Sequence, residues 1–157
     1  MKEHSKLYNG ALDQRASAGY MTNFTARLFA RAIDRRLKPL GLASGQLPVF
    51  FALSARPTLS QKALALAASL EQPTMAATLS RMERDGLVAK VPDPKDRRSA
   101  LYSLTPLALE KTAQISAAVN AVNSEAMSGL DADERAAYLT MMAKVAGTLE
   151  ASLTRED

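Results

Sequence analysis

Cysteine and tryptophan are missing from this chain of 157 residues, histidine occurs once, and aromatic residues make up only 5%. Without a thiol there is no disulfide and no cysteine-based redox sensing. With His4 the sole imidazole, a zinc site would have to be built from carboxylates almost alone, so neither a metal nor any other cofactor is expected. The longest strictly apolar run, Leu47 to Leu53, falls far short of the ~20 residues needed to cross a bilayer. The opening MKEHSKLYNGALDQR is polar and lacks an apolar signal core, so a cytoplasmic location without a membrane partner is expected. A phosphate-cradling glycine loop, His or Cys at metal spacing and a nucleophile elbow are also missing, which leaves an enzymatic reading without support.

What the chain does have is alanine and leucine in quantity, with few clusters of β-branched residues. This is the composition of a mostly helical protein. The net charge of +4 is unevenly spread: residues 125–157 hold three cations against seven carboxylates, a balance of −4, so the preceding residues carry +8. A basic front and an acidic rear suit a protein that presents one end to a polyanion, although solvated surfaces also vary in charge.

The most informative stretch is LEQPTMAATLSRMERDGLVAKVPDPKDRRSALYSLT, residues 70–105. At 100° per residue, Leu79 and Met82 fall within about 40° of Met75, one buried stripe of a helix. Its far side carries Ala77, Ser80, Arg81 and Arg84, flanked by Thr74 and Thr78, and Gln72-Pro73 opens it. A small, polar and basic face of this kind suits a DNA major groove, where methyl groups meet thymine and arginine pairs with guanine. Gly86 stops the helix. Leu87–Val91 and Leu101–Leu104 then read as two strands of a hairpin around the charged loop Pro92–Ser99. Its tip holds Lys95, Arg97 and Arg98, suited to phosphates or a narrow minor groove. Asp96 lies between these cations and is expected to orient an arginine rather than face DNA. Thr105-Pro106 should cap a new helix.

On these residues the chain resembles a known family. DGLV followed by DPKDRR and then LT looks like the wing of MarR-family transcription regulators, and EQPTMAATLSRME is similar to the recognition helix of the SlyA-like branch, with Ala77 where that branch often carries a basic residue. The resemblance implies a single MarR-like domain over 1–157, mainly α with a small β-hairpin wing. The winged helix-turn-helix lobe would occupy 44–104, with dimerisation helices at 17–38 and 106–153. It implies a homodimer binding a pseudo-palindromic double-stranded DNA operator, a repressor relieved by a small aromatic or anionic ligand. The lack of cysteine sets the chain apart from the peroxide-sensing branch. Phe24, Arg27, Arg31 and Phe51 are the candidate ligand-lining residues, between the first long helix, the 45–55 helix and the DNA-binding lobe. The competing reading is a winged-helix protein–protein interaction module without direct base readout.

Elsewhere, residues 1–16 lack a sustained period and read as an arm, with no role assigned to His4 or Tyr8. Residues 17–38 form a helix with the ridge Met21, Phe24, Leu28 and Ala32; an arc this broad asks for two neighbours, one of them a partner subunit. Its Arg27, Arg31, Arg35 and Lys38 read first as a solvated stripe. Ser44 should cap a helix over 45–55 with Leu47, Phe50, Phe51 and Leu53 inward, and Ser60 one over 61–69 with Leu64, Ala67 and Ala68 inward. The helix after the wing shows a seam of Leu109, Ala113, Ser116, Val119 and Val122. After Gly129, Asp131-Ala132-Asp133-Glu134 resembles a capping box opening a last helix with the stripe Tyr138, Met142, Val145 and Leu149.

Overall fold

The computed structural model describes residues 13–96 and 99–155. Among them run the helices α1 (Ala18–Leu37), α2 (Leu47–Ala55), α3 (Gln61–Ala67), α4 (Gln72–Arg84), α5 (Pro106–Ala126) and α6 (Ala132–Leu153), with strands β1 (Leu59–Ser60), β2 (Val88–Pro92) and β3 (Ala100–Leu104). The protein is thus mainly helical with a small antiparallel sheet. It divides into two compact units, residues 1–119 and 120–157, with α5 beginning in the first and ending in the second.

In the first unit one core joins the helix-turn-helix to its neighbours. Leu37 of α1, Val49, Phe50 and Leu53 of α2, Leu64 of α3, Met75, Leu79 and Met82 of α4, Tyr102 of β3 and Ala108 and Ile115 of α5 are all buried in it. Three helices end the same way. Gly41 (φ 70°), Ser69 (φ 50°) and Gly86 (φ 71°) adopt the left-handed conformation. The next residue is a leucine each time, donating its N–H back to the helix: Leu42 to Leu37 (3.2 Å), Leu70 to Ala65 (2.9 Å) and Leu87 to Met82 (2.8 Å). The reversal satisfies carbonyls that the helix would leave open and returns the leucine to the core.

The wing is larger than the hairpin expected from sequence. β2 and β3 pair from Val88↔Leu104 to Pro92↔Ala100, and β1 adds a third strand through Leu59↔Tyr102 and Ser60↔Leu101, giving the order β1-β3-β2. A two-residue strand carries no periodicity to find. Ser60 also caps α3 as expected, its Oγ accepting from the Ala63 N–H at 3.2 Å.

Three inward assignments and one cap change. Phe51 is 61% exposed and Val49 is buried in its place; α2 is apolar all round, so its period could not say which side faces in. In α3, Ala65 is buried and Ala67 exposed. Over barely two turns, alanines at 65, 67 and 68 look alike. The α5 seam holds at its end and fails at its start: Val122 is buried and Val119 half-buried as expected, while Leu109, Ala113 and Ser116 are exposed and Ala108 and Ile115 are buried instead. Ser44 opens a short 3-10 turn (Ser44–Gln46) rather than capping α2. Its own N–H donates to Asp34 Oδ1 of α1 at 2.7 Å, a long-range cap that no local pattern signals.

In the second unit the expected capping box forms. Asp131 Oδ1 accepts from the Glu134 N–H and Glu134 Oε2 from the Asp131 N–H, both at 2.9 Å. Arg135 Nε donates to the carbonyls of Met127 (3.1 Å) and Leu130 (2.9 Å), closing the turn before α6. None of the 22 residues of α6 is buried.

Candidate nucleic-acid interface

α4 is held from behind and open in front. Met75, Leu79 and Met82 are fully buried, a rigid inner stripe that fixes the helix's rotation about its axis. Gln72, Pro73, Thr74, Ala77, Ser80, Arg81 and Arg84 all lie on the exposed side, a ridge of short side chains with two guanidinium groups near its end. Thr78 does not belong with them. It is 6% exposed, and its hydroxyl donates to the Thr74 carbonyl at 3.0 Å. The helical arithmetic explains the correction, since Thr78 is about 60° from Met75 and on the same side as Met82.

Arg84 Nε donates to Asp85 Oδ1 at 2.9 Å. This bond raises the guanidinium pKa above its already high ordinary value. Both groups are exposed, so the pair is an exchangeable surface contact that a phosphate could replace. At the start of the helix, Gln61 Nε2 of α3 donates to Gln72 Oε1 at 3.1 Å.

The wing loop leaves β2 through Asp93, whose Oδ1 accepts from the Lys95 N–H at 2.8 Å and whose N–H donates to the Ser99 carbonyl at 3.2 Å. The Ser99 N–H in turn donates to the Asp96 carbonyl at 2.9 Å. Lys95 is exposed at this tip. Arg97 and Arg98, the other two cations expected there, lie outside the described residues.

Helix and wing are joined at the start of β2 and again at its middle. Thr105 takes its expected capping place, Oγ1 accepting from the Ala108 N–H at 3.2 Å. That hydroxyl also donates to the Gly86 carbonyl at 2.6 Å, and the Thr105 N–H donates to the Leu87 carbonyl at 3.1 Å. The end of α4, the start of β2 and the start of α5 therefore meet at one residue. Further along, Lys90 Nζ is 3.0 Å from Glu83 Oε2 of α4 and 5.8 Å from the centroid of the Tyr102 ring, its cross-strand partner. The bond to Glu83, followed by the influence of Tyr102, raises the Lys90 pKa. Gln61 and Lys90 were not singled out by sequence. The available signal was positional: Gln61 and Gln72 each occupy the first place of a helix.

Of the candidate ligand residues, Phe24, Arg27 and Arg31 lie on α1 and Phe51 on α2, all exposed. Phe24 stacks on Tyr20, with ring centroids 6.3 Å apart and planes 9° from parallel. Among the described residues no helix is long and apolar enough to cross a membrane.

The family model that matches the chain, over residues 40–99, is described as MarR family. The chain is 31% identical to the transcriptional regulator PA3341 of known structure, covering 86% of this chain and 99% of that one at a TM-score of 0.74. It is 29% identical to the PcaV transcriptional regulator from Streptomyces coelicolor, solved in complex with its natural ligand, with coverage of 87% and 96% and a TM-score of 0.72. A mutant MarR from E. coli complexed with operator DNA shares the fold at 23% identity and a TM-score of 0.76, covering 81% of this chain and 91% of that one.

Proposed function

The chain belongs to the MarR family, and on that premise we propose that it is a homodimeric, sequence-specific double-stranded DNA-binding transcriptional regulator. It works in the cytoplasm as a repressor that a small aromatic or anionic ligand releases. The α4 sequence EQPTMAATLSRME supports placing it in the SlyA-like branch. The observation that carries the reading is the asymmetry of α4. An inner stripe is locked in the core, while the outer face offers Gln72, Pro73, Thr74, Ala77, Ser80, Arg81 and Arg84 to a groove. Lys95 extends the cationic surface at the wing tip. Arg97 and Arg98, read from sequence, would add to it where an adjacent minor groove runs.

Homodimerisation rests on surface that the chain leaves uncovered. Leu139, Met141, Val145, Leu149 and Leu153 of α6 are exposed, as are Met21, Phe24 and Leu28 of α1. Apolar area of this kind is the usual mark of an interface, and two-fold pairing is the commonest closed arrangement. A two-fold dimer requires two half-sites about one helical turn apart, ~10 base pairs.

Release by a ligand is supported by PcaV, a relative solved with its natural ligand. The cationic and aromatic side chains Arg27, Arg31, Phe24 and Phe51 supply the chemistry that an aromatic carboxylate would meet. Selection of bound fragments from random duplexes, repeated with aromatic acids present, tests all three elements. The expected result is an enriched inverted repeat that one class of acid disperses. Failure to retain any duplex even at low salt, where phosphate contacts are strongest, would overturn the DNA-binding assignment, and retention without enrichment at higher salt would overturn its sequence specificity.

A further inference from the structure

From the bond between Gln61 and Gln72 we infer that Gln61 is a positioning residue for base readout: it holds the Gln72 amide so that Gln72 pairs with an adenine. The inference rests on the DNA-binding reading above and deepens it.

The two glutamines occupy equivalent places. Gln61 is the first residue of α3 and Gln72 the first of α4, so the fold brings two helix starts together across the turn. Gln61 Nε2 donates to Gln72 Oε1 at 3.1 Å, and the contact is solvent-exposed. Neither residue belongs to the core, so packing gives no reason for the pair. A free glutamine side chain at a groove surface has several rotatable bonds, and binding must order them. The bond from Gln61 does part of that ordering before DNA arrives.

The bond also selects what Gln72 can read. An amide oxygen has two acceptor sites and an amide nitrogen two donors. With one oxygen site taken, Gln72 keeps one acceptor beside its donors. That is the complement of adenine in the major groove, which offers N6–H as donor and N7 as acceptor. Guanine presents two acceptors there and would leave the remaining oxygen site of Gln72 unmatched. Turning the Gln72 amide alone would place donor against donor, while turning both amides together leaves Gln72 one N–H beside its oxygen, which again matches adenine and not the two acceptors of guanine. Gln61 thus restricts what the Gln72 amide offers without touching a base.

The test uses the full-length protein and the inverted repeat selected by the parent. Gln61→Met keeps length and helix packing but cannot donate; Gln72→Ala removes the reader; the third variant carries both changes. Competition against duplexes substituted at each position in turn gives a base preference for each protein. For Gln61→Met we expect a three- to tenfold loss of discrimination confined to one A·T pair per half-site. Gln72→Ala should lose preference at the same pair. The double variant should discriminate no worse there than Gln72→Ala alone, because Gln61 acts only through Gln72. Thermal midpoints and the salt dependence of non-specific binding should match the parent, which a merely structural role for Gln61 would not predict. Unchanged preference at every position in Gln61→Met, or effects of the two substitutions that simply add, would overturn the inference while leaving DNA binding in place. A parent that retains no duplex even at low salt would overturn both.

Discussion

Ser69 holds a left-handed φ of 50° in the turn between the two helices of the helix-turn-helix, where the other two helix stops of this kind use glycine. A side chain with Cβ is strained there, by an amount of order 1 kcal/mol or more. Ser69→Gly should therefore stabilise the protein by up to about 1 kcal/mol, since glycine's greater freedom in the unfolded chain offsets part of the gain. Thermal unfolding reads it, and a lower midpoint would show that the serine is not strained. Thr105 works in the opposite sense. Its hydroxyl both accepts from Ala108 and donates to Gly86, so Thr105→Val keeps the shape and loses two bonds. The expected cost is about 1–2 kcal/mol, the usual range for a lost cap. Thr105 was legible in advance because Thr-Pro is a local signature. Ser69 was not, since nothing in an Ala-Ser-Leu sequence announces a left-handed residue.

Among the elements, α4 was readable from sequence because its two faces differ so sharply. Apolar residues at 75, 79 and 82 oppose small and basic ones, and the observed span Gln72–Arg84 follows that division. α2 and α5 were less readable in detail. α2 has apolar residues on every side, and α5 is rich in alanine, so the predicted seam ran out of phase at Leu109, Ala113 and Ser116 and fell on covered positions only at Val119 and Val122. β1 is too short to show a pattern, and only its pairing with β3 defines it. For the interface, Arg81→Ala should relax preference at particular base pairs by about 1–3 kcal/mol. Lys95→Ala should weaken all duplexes alike and flatten the salt slope by about one unit. A Lys95→Ala slope equal to the parent's would remove that ammonium from the contact surface. The joint between α4 and the sheet depends on Lys90, whose pKa is raised by Glu83. A cation raised on folding contributes below its unfolded value, about 10.4 for lysine, and loses that contribution as pH climbs through the folded one. The joint therefore persists across neutral pH.

For the molecule as a whole, the only histidine is His4, outside the described residues, and cysteine is absent. With no imidazole or thiol on α4 or the wing, DNA affinity at fixed salt should change less than about twofold between about pH 6 and 8.5. Fluorescence anisotropy across that range checks it, and a larger change would reveal a titrating group at the interface. Self-association is tested on α6. Leu149 is exposed in the single chain, so Leu149→Glu has no packing to disturb there, whereas at a dimer interface it buries an unpaired carboxylate. Sedimentation should show at least a tenfold weaker dimer with unchanged helix content at high protein concentration. An unaltered dimer would place the interface elsewhere.

α6 is a 22-residue helix with nothing buried, so little of its stability comes from packing within the single chain. A dimer of the kind proposed would cover that surface, and mass action would then tie the helix's order to the protein's own concentration. Dilution should in that case raise cleavage of the C-terminal helix by added protease, and concentration should protect it.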